Sequence, residues 1–263
     1  MFHNMASHEA YPGAQTVSRA VALLKAFTDA QPERGLTELA RAVGLNKTTV
    51  YRLLKALQSE GMLARSPATD AYRLGPEIIA LGARALRSND LRRASRVELE
   101  ALAHQTGETA SLEVLVEDQV LILDEVQGHY LIGSSPSIGT RWPAHATSTG
   151  KVLLAELSQR ERKAVLQPPL AKLTENTIAT LAALREELAR VREQGYATAC
   201  EELEVGYVAV GAPVRNLDGQ VMAAISIGGP SMRMTADRVA ELVAPVRQAA
   251  DRISQKRGYS LER

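Results

Sequence analysis

The sequence predicts a multidomain α+β protein. An N-terminal winged helix-turn-helix is expected over residues 14–75, a helical linker over 76–89, and a C-terminal α/β domain with an antiparallel sheet over 90–258. The first observation behind this is an element order of helix, short helix, glycine turn, helix and hairpin near the N-terminus. The second is an uneven spread of charge. The third is a set of period-two strands among helices in the second half, the pattern of an α+β layer.

Taken in order, Val17, Ala20, Val21, Leu24 and Phe27 recur at helical spacing over Thr16–Asp29. Gln31-Pro32-Glu33-Arg34-Gly35 breaks that helix. A short helix follows with Thr37 as its expected cap, and Gly44-Leu45 turns the chain. Asn46 caps a third helix running to about Glu60, where Gly61 stops it. Met62–Arg65 and Ala71–Leu74 then form a hairpin around the turn-rich Ser66–Asp70. The linker helix spans Pro76–Arg87, and a further helix spans Asp90–Gln105. Thr109–Val116 and Val120–Val126 make a hairpin turning at Glu117-Asp118-Gln119. Helices are expected at Ser148–Glu156, Gln159–Leu166 and Ile178–Gln194. Strands are expected at Tyr196–Cys200, Tyr207–Val214 and Val221–Ile227, and a long helix at Thr235–Lys256.

The 263 residues suffice for two ordinary domains with real cores, and no apolar run reaches the roughly 20 residues a membrane helix needs. The polar segment from Met1 to Gly13 lacks a signal-peptide core and reads as a short tail. Cys200 is the one cysteine, which excludes an internal disulfide framework and fits the cytoplasm. The chain carries a net +1, yet Ala14–Gly75 holds nine Lys/Arg against five Asp/Glu, a local +4. Such a split suits a nucleic-acid-binding end joined to a different second domain.

On a helical wheel the third helix sends Val50, Leu53, Leu54 and Leu57 to one side and Lys47, Thr48, Tyr51, Arg52 and Lys55 to the other. The first set packs against the preceding helices. The second is what a groove-facing helix needs, since Arg and Lys neutralise phosphates and reach guanine edges. Residues near the helix start, Asn46, Lys47, Thr48 and Thr49, are best placed for bases. Arg65 and Arg73 add positive charge on the hairpin. An ordinary solvated face is the plainer reading of such a helix taken alone. The glycine turn before it, the basic hairpin after it and the basic segment around it favour double-stranded DNA.

Leu36-Thr-Glu-Leu-Ala40, Gly44-Leu-Asn-Lys-Thr-Thr-Val-Tyr51-Arg-Leu-Leu54, Glu60-Gly61 and Tyr72-Arg-Leu-Gly75 closely resemble the N-terminal half of IclR-family regulators. Pro143–Lys151, Gly195-Tyr196, Glu201-Glu202, Gly206, Ala212-Pro213-Val214 and Ala224–Pro230 extend the resemblance through the second half, so that it covers about Val17 to Ile253. The resemblance implies a GAF-like effector-binding domain, dimers or dimers of dimers (a homotetramer) on pseudo-palindromic operators, and control of catabolic genes, by repression or activation, through a small organic acid. It implies no cofactor and no metal.

Alternation in Tyr207–Val214 and Val221–Gly228 collects Ala209, Gly211, Ala224, Ser226 and Gly228 on one sheet face. Such small side chains leave volume for a closely packed helix or for a ligand. The helix start at Ser148-Thr149 offers N–H groups, a positive dipole end and hydroxyls to a carboxylate. Carried over from the family, the effector site is Leu131, Ser134, Trp142, Ser148, Thr149, Ala199, Ala209, Ser226 and Gly228. Family members that bind very small oxoacids have polar groups where Ala199, Ala209 and Gly228 stand here, and an aliphatic residue in place of Trp142. The resemblance therefore implies a larger, partly apolar acid, aromatic ones included, held by its carboxylate at Ser148-Thr149.

Enzyme readings are weaker. His145–Val152 departs from a phosphate-binding loop at both its first glycine and its magnesium-holding hydroxyl. Ala224–Gly228 lacks the leading glycine of a nucleophile elbow. The histidines are scattered, and none is spaced with Cys200 for zinc. Cys200, alone on a strand, is expected to be buried. A GAF-like enzyme with an appended DNA-binding head, and a ligand-free structural DNA-binding protein, stand as alternatives.

Overall fold

The computed structural model describes residues 14–130 and 138–260. The tail expected over residues 1–13 and two expected pocket residues, Leu131 and Ser134, lie outside the described residues. The described chain divides between Ser88 and Asn89 into two compact units.

The first unit runs α1 (Gln15–Lys25), β1 (Glu33–Arg34), α2 (Leu36–Ala42), α3 (Lys47–Ser59), β2 (Leu63–Arg65), β3 (Tyr72–Leu74) and α4 (Pro76–Arg87). Its sheet has the order β1-β3-β2, all antiparallel. Leu23, Leu39, Val50, Leu54, Leu63 and Tyr72 form its core. Three local differences from expectation have physical reasons. The first helix ends at Lys25 because Thr28 and Gln31 exchange backbone hydrogen bonds in a tight loop. The second helix starts one residue before Thr37, since Glu38 Oε2 accepts the Gly35 N–H at 2.8 Å and makes Gly35 the cap. Glu33-Arg34, expected only as a break, pairs with β3 opposite Arg73 and Tyr72. On α1 the buried residue is Leu23, and Val17 and Val21 stay exposed.

The second unit runs α5 (Asp90–Thr106), β4 (Thr109–Val116), β5 (Gln119–Val126), β6 (Arg141–Pro143), a 3-10 turn (Ala144–Ala146), α6 (Ser148–Glu156), α7 (Gln159–Val165), α8 (Leu181–Gln194), β7 (Ala197–Cys200), β8 (Tyr207–Arg215), β9 (Val221–Pro230) and α9 (Ala236–Lys256). Its antiparallel sheet has the order β6-β5-β4-β9-β8-β7. One face buries Leu112, Val114, Val208, Ala212, Ile225 and Ile227 against α5 and α9. The other buries Val120, Ala197 and Ala224 against α6 and α8. Alternation thus sorts the strands as the sequence requires. Gln119 joins a strand rather than the turn. The helix α8 begins at Leu181 rather than at the expected Ile178, because the Thr180 hydroxyl caps Ala183 N.

Candidate functional site

The first candidate surface is α3. The Asn46 side chain accepts the Thr49 N–H at 2.8 Å and fixes the helix start. Val50 and Leu54 are buried, Leu53 and Leu57 pack against the same core, and Lys47, Thr48, Tyr51, Arg52 and Lys55 are exposed. The two sides of the helix separate as the wheel requires. Lys55 Nζ stands 5.8 Å from the Tyr51 ring centroid, which groups the two side chains. Thr49 is half-buried. On the hairpin Arg73 and Arg65 are both exposed, and Arg65 is engaged with the turn: it pairs with the Asp70 carboxylate, its Nε donates to the Asp70 carbonyl, and its guanidinium lies 5.6 Å from the Tyr72 ring centroid. The sequence showed no reason for that pairing, because it depends on Asp70 taking a left-handed backbone in the turn.

The second candidate site lies on the α6 face of the large sheet. Register sets Ser111 opposite Ser226, Ser226 opposite Gly211, Gly228 opposite Ala209, and Ala209 opposite Ala199. The floor of small residues is therefore continuous across four strands. Two groups cover it. A Cβ on Gly211 would stand 3.0 Å from Thr149 N, so the start of α6 rests directly on that glycine. A Cβ on Gly228 would run into the Tyr207 phenol, which lies across that end of the floor. Ser148, Thr149, Ala199, Ala209, Ser226 and Gly228 are thus brought together. Trp142 pairs with Val120 on the edge strand β6 and is 37% exposed. Three strand spacings, roughly 14 Å, separate β6 from β9.

At the β4 edge of this floor stands a residue the sequence reading missed. Glu113 on β4 is 6% exposed. Thr149 Oγ1 donates to its Oε2, and Ser111 Oγ donates to its Oε1 at 2.9 Å. Ser111 and Ser226 hydroxyls meet at 2.8 Å. Burial pushes the Glu113 carboxyl above the ordinary carboxylate range. The hydroxyls of Thr149 and Ser111 oppose that shift, and the nearby Glu125 adds to it. Tyr207 is likewise raised, first by burial and then by Glu113, Glu125 and Glu108. Of these carboxylates, Glu108 is held by Arg233 at 2.6 and 2.7 Å. A signal for Glu113 existed: it shares strand parity with Ser111, facing away from Leu112 and Val114.

Lys151, the residue that prompted the phosphate-loop comparison, is 1% exposed and bonds Glu187 at 2.9 Å and Glu202 at 2.7 Å. It pins α6 from inside and is not presented to a ligand. His145 is buried against the Ala171 carbonyl. Cys200 is exposed, contrary to expectation, because it lies on the outer strand β7. Among the described residues no cluster of His, Cys, Asp and Glu could hold a metal ion, and no helix is long and apolar enough to cross a membrane.

Comparison with known proteins gives consistent matches. Residues 16–67 match the IclR helix-turn-helix domain, and residues 83–255 match the bacterial transcriptional regulator IclR C-terminal domain. The HTH-type transcriptional regulator KdgR of Escherichia coli (strain K12) is 36% identical over 245 residues, covering 93% of each chain. The transcriptional repressor IclR of the same organism is 32% identical over 243 residues, covering 91% of this chain and 89% of the relative. Among solved structures, an IclR-type regulator from Alicyclobacillus acidocaldarius superposes with a TM-score of 0.81 at 30% identity, covering 91% of this chain and 97% of the other. An IclR homolog from Microbacterium hydrocarbonoxydans, complexed with 4-hydroxybenzoate, gives a TM-score of 0.77 at 28% identity over 91% of this chain and 98% of its own.

Proposed function

The chain belongs to the IclR family of bacterial transcriptional regulators, and from that premise we propose that it controls catabolic genes in the cytoplasm by binding a pseudo-palindromic operator and sensing a small organic acid. The family and its relatives are ligand-responsive transcriptional regulators and not enzymes, which leaves the enzyme alternative without support.

The observation that carries the DNA half of the reading is α3, with Lys47, Thr48, Tyr51, Arg52 and Lys55 exposed and Val50 and Leu54 buried behind them. In this reading α3 enters the major groove, Arg73 contacts phosphate, and Asn46 and Thr49 set the helix start against the backbone. The unit of residues 14–75 is then the DNA-reading head, residues 76–89 the linker, and 90–258 the sensing and pairing domain. A homodimer or a dimer of dimers presents two heads to two half-sites. None of the twelve residues of α4 is buried within the chain and Ile79 is 74% exposed, which supports pairing of chains through apolar surface.

The sensing half rests on the start of α6 above Gly211, with Ser148, Thr149, Ala199, Ala209, Ser226 and Gly228 around it and Trp142 farther out. The effector carboxylate meets the N–H groups of the helix start. The 4-hydroxybenzoate held by the Microbacterium homolog favours an aromatic acid. Repression is the favoured sign, since the relatives include named repressors.

The test is selection of duplex DNA from a random pool by the full chain, followed by binding titrations with a panel of aromatic and aliphatic acids. The reading expects an enriched site with two related half-sites and a change in its affinity with at least one acid. No enrichment would remove the DNA reading. Enrichment with no response to any acid would remove the acid.

A further inference from the structure

The two basic surfaces of the first unit differ in how their charge is held. Helix α3 carries Lys47, Arg52 and Lys55 and no acidic residue. The hairpin instead sets Arg65 on β2 and Arg73 on β3 beside Asp70 in the turn and Glu33 on β1, all four exposed. Glu33 lies directly opposite Arg73 in the register. The polar contacts of Arg65 run to a single residue: its guanidinium pairs with the Asp70 carboxylate, and its Nε donates to the Asp70 carbonyl at 3.3 Å. The turn that presents Asp70 is itself built. The Asp70 N–H donates to the Ser66 carbonyl at 3.0 Å, the Ser66 N–H to the Ala71 carbonyl at 2.8 Å, and the Thr69 hydroxyl to Glu33 Oε2 at 3.0 Å. Asp70 has φ 59°, a left-handed backbone that Asp and Asn adopt more readily than other side chains. The pair faces solvent, with side-chain exposures of 38% for Arg65 and 76% for Asp70, so a phosphate can reach it.

We propose that Asp70 occupies Arg65 in the free protein as a DNA phosphate does in the complex, and that the hairpin engages DNA by exchanging one anion for the other. The proposal rests on the DNA reading and gives a carboxylate inside the DNA-contacting surface a role in it. Carboxylate and phosphate offer a guanidinium the same pair of acceptor oxygens. While Arg65 is committed to Asp70, the pair adds no net charge and lends nothing to the attraction of a duplex of any sequence. Once α3 is seated in a groove, a phosphate brought to the hairpin competes with an exposed ion pair, which is a weak opponent. Asp70 thereby limits how much of the binding comes from the DNA backbone alone, the part of affinity that carries no sequence information. It acts through Arg65 and touches no base.

The test measures binding of the full chain to its selected operator, and to a duplex of scrambled sequence, over a range of salt concentrations. Asp70→Asn removes the charge and keeps a residue suited to the left-handed turn. It should tighten binding to both duplexes by roughly two- to fivefold at low salt, the worth of an exposed ion pair. It should also steepen the fall of log affinity with log salt by up to about 0.9, the share of one phosphate. Arg65→Ala should flatten that slope by a similar amount. Asp70→Asn made in the Arg65→Ala background should gain less than it does in the native chain. Should Arg65→Ala fail to fold, the native chain and Asp70→Asn decide the matter. Unchanged affinity and slope in Asp70→Asn overturn the proposal. An equal gain in both backgrounds also overturns it, because the carboxylate then acts on DNA directly and not through Arg65. A native chain that binds neither duplex removes the DNA reading, and the proposal with it.

Discussion

At the residue scale, the two ends of the chain use charge in opposite ways. On α3 the charges are exposed and unpaired by neighbouring carboxylates in the helix, which has no acidic residue in its first turn. Arg52→Ala should therefore weaken operator binding by about 1–3 kcal/mol, roughly 5- to 150-fold, while effector affinity stays unchanged. Arg65→Ala should act differently, because Arg65 is bonded to Asp70 and lies over Tyr72: it should lower thermal stability as well as DNA affinity. In the sheet, Glu113 is buried and its carboxyl is raised, above all by burial. A carboxyl whose folded value exceeds its unfolded one favours folding fully only below the unfolded value, and loses that contribution as pH rises through the folded value. Glu113→Gln should accordingly gain on the native chain as pH rises above about 4.3, the ordinary glutamate value. Thermal unfolding at pH 5 and pH 8 checks this, and a variant that loses ground towards pH 8 would contradict the burial argument. Glu113 was readable only in part from sequence. Its strand parity with Ser111 was visible, but the hydroxyl of Thr149 reaches it from 36 residues away, a distance no local pattern spans.

At the element scale, legibility followed local chemistry. Most helices with a side-chain cap or an N-terminal proline were located to within a residue at their starts: Asn46 before α3, Pro76 opening α4, Asn89 before α5 and Thr235 before α9, with α8 the exception despite its Thr180 cap. Long alternating strands β4, β8 and β9 were equally plain. The two-residue β1 and three-residue β6 were not, because nothing in Glu33-Arg34 or Arg141-Trp142-Pro143 marks a strand until β3 and β5 supply partners. Small residues on one sheet face left open whether a helix or a ligand fills the space. The structure gives α6 as the occupant over Gly211. Gly211→Val should then push the start of α6 off the sheet, at a cost of about 1–3 kcal/mol from overpacking, and should abolish acid binding in the same variant. Unchanged acid affinity in a folded Gly211→Val protein would move the site elsewhere. Lys151 keeps α6 in position by pairing with Glu187 and Glu202 inside the domain, an arrangement in which removing one partner strands the others.

At the scale of the whole molecule, a DNA-reading unit and a sensing unit are useful together only if each changes the other's equilibrium. The basic face of α3 predicts operator affinity that falls steeply with salt, since each neutralised phosphate releases counterions. That alone does not establish coupling, which is the central claim. By linkage, an acid that changes operator affinity by some factor must have its own affinity changed by that same factor when operator is bound. The measurement is therefore the dissociation constant of the tightest-binding acid, taken for the full chain alone and again saturated with its selected operator, beside the operator affinity with and without that acid. The account predicts two equal factors different from one. An acid affinity identical with and without operator would contradict it.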